Sequence, residues 1–180
     1  MSTQEAPGDL ELVRAFVNTL DVESGADELR DPIALGTWLR SHGLLRGGSP
    51  SVADLTAARR LREAIRSLLL EQAGVSVRKD AALTLTRAAQ RAGLAPAFDP
   101  TGSARLEPAA GGVDGALGRV LAIVAAAMAE GTWSRLKACR AEDCRWAFYD
   151  HARNRSRHWC SMAVCGNRTK ARAYRRRRVA

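Results

Sequence analysis

The cysteine spacing constrains this chain more than any other feature: Cys139-x4-Cys144-x15-Cys160-x4-Cys165, with no cysteine in the residues before it. Two matching close pairs let two tight turns each present two sulfurs, and the loop between them brings the second pair back to the first. Thiolates suit a borderline-soft ion, and a tetrahedral zinc site needs four ligands at about 2.3 Å. Met1 to Gly8 shows no positive segment followed by an apolar run, so no secretory leader is expected. The chain then reads as cytoplasmic, where stable disulfides are rare. The pattern therefore predicts one structural Zn2+ per chain. An iron–sulfur cluster also uses four cysteines. A redox pair is more often C-x-x-C beside a βαβ pattern, which is absent. His151 or His158 could stand in for one cysteine, but four thiols make that unnecessary. A module of about 40 residues buries too little surface to fold alone, and zinc supplies roughly 10 kcal/mol or more in finger peptides. Four thiolates on one zinc leave a charge near −2, which Arg140, Arg145, Arg157 and Arg168 are placed to offset.

Charge follows the cysteines. Residues 139–180 hold 12 Lys+Arg and 3 Asp+Glu, while the rest of the chain is balanced, so the whole net charge of +9 lies in the cysteine-bearing segment. A neutral body with one basic end points to a polyanion-facing surface.

The body reads as helical. With 46% hydrophobic but only 5% aromatic residues, packed helices are favoured over a β-sandwich. Leu10, Val13, Val17 and Leu20 share a face, with Asp9 as N-cap. Pro32 opens a second helix that buries Leu35, Trp38 and Leu39 and ends at Gly43 or Gly47. Ser51 and Asp54 form a capping box for a long helix from Val52 to Gln72, with a stripe of Leu55, Ala58, Leu61, Ile65, Leu68 and Leu69; Gly74 stops it. A fourth helix runs from Lys79 to Ala92. Asp99-Pro100-Thr101-Gly102 marks the turn of a short hairpin. Asp114 then caps a fifth helix continuing to Lys137. No apolar run reaches the roughly 20 residues that span a bilayer, so no membrane partner is expected. Beyond Cys144, alternating Trp146 and Phe148 predict a strand, Arg153 to Ser156 a turn, Arg157-His158-Trp159 the return strand, and Thr169 to Arg178 a basic helix. The expected fold is thus mainly α: a helical domain with a short β-hairpin over residues 1–136, and a four-cysteine zinc module of hairpin and basic helix over 137–180.

Cys165-Gly166-Asn167-Arg168, preceded by Trp159-Cys160-Ser161-Met162 and by Trp146, Phe148 and Asp150, resembles the CGNR zinc-finger family; the likeness covers residues 139–168. That family usually has Ser where this chain has Ala152. Phe16-Val17-Asn18-Thr19-Leu20 and Leu35-x-x-Trp38-Leu39 resemble the ABATE domain that accompanies the finger. Together the resemblances imply a bacterial, stress-related transcription regulator with a mainly helical N-terminal domain.

The function expected is a zinc-containing, DNA-binding transcription regulator in the cytoplasm, associated with the nucleoid. Its alternatives are an RNA-binding zinc module and a protein–protein adaptor with a basic tail. Arg168, Lys170, Arg172, Arg175, Arg176, Arg177 and Arg178 are phosphate-binding candidates, since the guanidinium fork suits phosphate. Arg153, Asn154, Arg155, Arg157 and Asn167 are of the type that reads base edges, although Asn154 and Asn167 also suit a turn and a helix cap. Tyr174 could stack on a base or pack on the zinc module. The helical domain would sense a small-molecule effector or form a homodimer, though no heptad seam is present. No phosphate loop, nucleophile elbow or acid/base pair is found, so no enzyme is expected. Asn18, Asp21 and Glu23 form the one polar cluster in the body worth inspecting, and a helix end with its turn is the simpler reading of it.

Overall fold

Side-chain caps set the starts of two of the α-helices. The computed structural model describes residues 5–76 and 79–179, so part of the leader reading, over Met1 to Gln4, lies outside the described residues. Helix α1 spans Leu10–Asn18 and α2 spans Pro32–Ser41; Asp31 caps α2 by accepting from the Ala34 N–H at 2.7 Å, with Pro32 in the first turn. Helix α3, Val52–Gln72, opens on the expected capping box: Ser51 Oγ accepts from Asp54 N, and Asp54 accepts from Ser51 N at 2.7 Å. Helix α4, Lys79–Ala92, leads into an antiparallel hairpin of β1 (Leu94–Phe98) and β2 (Ala104–Pro108), with Leu94 opposite Pro108. Helix α5 covers Gly112–Ala129, and strands β3 (Leu136–Ala138) and β4 (Ala147–Tyr149) form a second hairpin before α6, Asn167–Val179. The fold is mainly α with two small hairpins, as expected.

Several local expectations are corrected. Asp9 makes no side-chain cap; Glu11 instead accepts from the Ala6 N–H at 2.8 Å. Gly111 is the N-cap of α5, and Asp114 sits in its first turn, paired with Arg91 at 3.2 Å. The fifth helix does not reach Lys137. Gly131 takes φ +75° and stops it, after which Trp133–Arg135 make a 3₁₀ turn and Leu136 enters a strand. The partner of β4 is β3, not residues 157–159, with Leu136 opposite Tyr149 and Ala138 opposite Ala147.

Phe16, Leu35, Leu39, Leu61, Ile65, Leu69, Leu117 and Val120 are fully buried between α1, α2, α3 and α5, and Trp38 and Trp133 belong to the same core. Helix α5 has the length and apolar composition to cross a membrane, but half of it is buried in this core. Its glycine at 118 is required by close approach: a Cβ there would lie 2.6 Å from Ala92 Cβ and 2.9 Å from Pro108 Cβ. Leu136, Ala138, Ala147 and Tyr149 of the second hairpin also lie in this core, so the body and the cysteine-bearing end are continuous.

Candidate metal centre and basic helix

The β3–β4 hairpin carries the first cysteine pair in its connection. Cys139 N donates to Trp146 O at 2.9 Å, closing the ladder, while Cys144 N and Arg145 N both donate to Ala141 O, making a tight turn. Arg145 pays for that turn with a left-handed backbone, φ +53°. Arg140 N then donates to His158 O at 3.0 Å, which brings the returning chain alongside. Of the second pair, Cys160 precedes a π-helical turn, Met162–Gly166, and Cys165 lies within it; Ser161 caps the turn, its Oγ accepting from Val164 N at 3.3 Å.

All four sulfurs lie within 4.8 Å of one another, and Cys144–Cys160 and Cys160–Cys165 are each 3.6 Å apart. That excludes disulfide bonds, which need about 2.05 Å, and approaches the roughly 3.8 Å edge of a tetrahedron with 2.3 Å metal–sulfur bonds. Cys139, Cys144 and Cys165 are buried and Cys160 half-buried. Phe148 packs beside them, with Trp146 and Trp159 at the edge. Four thiols this close cannot all ionise unaided. Hydrogen bonds from the Cys144 and Cys160 thiols pull Cys139 down to about 2, while their interaction with it pushes Cys144 up and Cys160 up to about 12. A divalent cation is what lets all four become thiolates, and an all-sulfur tetrahedral donor set fits one zinc ion.

Around the sulfurs, Asp150 organises the long loop. It is fully buried and meets Lys137 Nζ at 2.9 Å; Lys137 also donates to the carbonyls of Arg155 and Arg157. Asp150 accepts from Ala152 N and Arg157 N at 3.0 and 2.9 Å. Burial pushes its carboxyl up, but Lys137 and these N–H groups hold it below the usual carboxylate range. The backbone of Ala152 is used on both sides, since its carbonyl accepts from Arg135 at 3.1 Å.

Two family models match this architecture. Residues 10–131 match ABATE, described as "Putative stress-induced transcription regulator", and residues 135–178 match the CGNR zinc finger. The chain belongs to the ABATE family and ends in a CGNR finger. No curated protein matches it.

The four residues of the CGNR motif have separate tasks. Cys165 is a ligand candidate. Gly166 lets Met162 lie across it, since a Cβ would stand 2.4 Å from Met162 Sδ. Asn167 starts α6 and donates to Ala163 O at 3.2 Å. Arg168 donates toward Cys165 Sγ at 3.7 Å and pairs with Glu23 of the ABATE domain at 2.6 Å and with Asp143 at 3.3 Å. The Glu23 carboxylate and the Cys165 sulfur raise its pKa further. Of the four arginines placed to offset the sulfur charge, Arg168 does so directly. Arg157 lies 5.2 Å over the Phe148 ring and donates to Cys160 O at 2.7 Å; Arg140 reaches Gly74 O, and Arg145 reaches Arg140 O.

The remaining nucleic-acid candidates fall into two groups. Asn154 accepts from Ser156 N and Oγ and so shapes the loop, and Arg155 donates to Ser134 Oγ at 2.9 Å with φ +51°. Arg153 is exposed nearby. Lys170, Arg172 and Arg175 to Arg178 stand exposed on α6, where Arg172 pairs with Asp143 at 2.8 Å.

Sequence reasoning missed the seam between ABATE domain and finger. Buried Asn18 donates to Ala147 O at 2.9 Å and accepts from Ala147 N at 2.7 Å. Buried Arg66 donates to Arg145 O at 3.0 Å and to Val17 O at 2.7 Å, and burial lowers its pKa. Buried Arg62 pairs with Asp27 at 2.7 Å. The signal available was the Asn18-Asp21-Glu23 cluster. Asp21 caps its own turn, accepting from Glu23 N at 2.9 Å, while Asn18 and Glu23 both reach the finger. Helix α5 and β2, with the start of α1, line an open, largely apolar groove of about 770 Å³ that includes Leu10, Leu106, Ile123 and Ala126.

Proposed function

We propose that this protein is a zinc-stabilised transcription regulator that binds duplex DNA through the finger's basic helix, and that it is not an enzyme. One observation carries the reading. Helix α6 holds seven Lys and Arg and no acidic residue among its 13 residues, and from Lys170 to Arg178 it is exposed. Such a helix has no apolar face to hold it and accumulates like charge, so a polyanion is its natural complement. Duplex DNA is favoured over RNA because the wide major groove of B-DNA admits a helix and that of A-form RNA does not. The stress role implied by the family description, a nucleoid location and a homodimer belong to the same proposal. The groove between α5 and β2 offers an effector the volume typical of small-molecule sites, about 300–1,000 Å³.

The test is a salt titration of the zinc-loaded full chain against duplex DNA, structured RNA and single strands. About six phosphate contacts give a log–log slope near −5 on the duplex. Preference for RNA transfers the reading to an RNA-binding module. No salt-dependent binding to any of the three defeats it and leaves an adaptor for acidic proteins.

A further inference from the structure

The charges of α6 are not equivalent. At about 100° per residue, Lys170, Tyr174, Arg177 and Arg178 fall on one stripe, at i, i+4, i+7 and i+8. Arg168 and Arg172 lie on the opposite side, where Glu23 and Asp143 hold them. Arg175 and Arg176 lie on that anchored side too; Arg175 Nε turns back to Ala171 O at 3.4 Å. Asp143 and Glu23 therefore fix which side of the helix faces the protein. The stripe faces away, and within it Arg178 lies 5.5 Å over the Tyr174 ring, which is half exposed.

Resting on the nucleic-acid reading above, we infer that the Lys170–Tyr174–Arg177–Arg178 stripe is the contact surface, and that Arg168 and Arg172 are positioning residues that aim it. Lys170 to Arg178 spans about 12 Å of helix axis, the width of a B-DNA major groove. Its cationic ends then reach phosphates on both walls while the Tyr174 ring sits between them against the bases. Arg178 stacked on that ring keeps its apolar face presented and its charge close to the backbone.

The experiment compares four variants with the full chain on one DNA duplex, each checked for zinc content and far-UV signal. Lys170→Ala/Arg177→Ala/Arg178→Ala flattens the salt slope by about 2.7 and loses on the order of 100-fold in affinity at about 0.15 M salt, since each phosphate contact contributes about 0.9 to the slope. Arg172→Gln flattens it by less than one contact. Tyr174→Ala loses about 5-fold or more with the slope kept, and Tyr174→Phe restores the affinity, as an aromatic contact requires. If the full chain binds but the triple variant keeps the original slope, or Arg172→Gln removes as much, the stripe assignment is wrong while the nucleic-acid reading stands. If the full chain binds no nucleic acid, both fall.

Discussion

Lys137→Met isolates the charge at the centre of the finger's long loop. The Lys137 side chain is 3% exposed and that of Asp150 0%, at 2.9 Å, so the pair is out of water. Methionine keeps the length and packing but leaves a buried carboxylate without its cation, a loss that typically costs 3–5 kcal/mol, about 3 at the least. At roughly 2–4 °C per kcal/mol for a chain of this size, the midpoint falls by about 6–20 °C. Urea unfolding of the zinc-loaded protein, followed by far-UV circular dichroism and tryptophan fluorescence, reads the free-energy loss, and thermal unfolding followed by circular dichroism reads the fall in midpoint. Removing both charges, as Lys137→Met/Asp150→Leu, does not restore the wild type: the N–H groups of Ala152 and Arg157 lose their acceptor, at about 1–3 kcal/mol each. A single variant within about 1 kcal/mol of wild type would refute the reasoning, because the carboxylate would then not need its partner. The pH dependence follows the same sign. Asp150 is depressed, so its contribution is present above the unfolded value of about 3.9 and disappears as pH falls through the folded one. In Lys137→Met, acid unfolding moves to higher pH.

Asn18→Ala strands the N–H and C=O of Ala147 and lowers stability by about 2–5 kcal/mol in the same urea assay; a loss below about 0.5 would mean the seam is not held there. Gly118→Ala forces a methyl against Ala92 and Pro108 and costs about 1–3 kcal/mol, read as a drop in Tm. Glu23→Gln, by contrast, breaks a partly exposed ion pair with Arg168 and changes stability by about 1 kcal/mol at most. Cys165→Ser brings the zinc content measured by mass spectrometry below one per chain, and retention of full occupancy would exclude it as a ligand.

The sequence was most legible where chemistry is local. Ser51 and Asp54 sit three apart and close a capping box whatever surrounds them, and Pro32 and the Asp99–Gly102 turn behave likewise. The cysteine spacing located the metal centre because four sulfurs on one ion constrain few residues. Partnerships across the chain were hidden. Leu136, Lys137 and Ala138 continue a helical pattern on paper, and only the pairing with Ala147 to Tyr149 turns them into a strand. Arg62 and Arg66 look like solvated positions of a long helix, yet the end of α1 and the loop after it surround them with carbonyls and Asp27. The basic helix was visible as a density of charge, but its two sides separate only once Glu23 and Asp143 are placed beside it.

The Asn18–Ala147 contact has an unequal consequence for the two sides that make it. Asparagine meets only the main chain of residue 147, offering an amide N–H to its carbonyl and a carbonyl to its N–H. The side chain at position 147 is therefore restricted only by its burial in the core, and it can drift among small apolar residues without disturbing the joint. Position 18 has no such latitude. Aspartate cannot donate, leucine can do neither, and glutamine is one carbon too long for the same approach. A mutational scan of the two sites should accordingly return opposite profiles: broad tolerance of small residues on one side and a single accepted residue on the other.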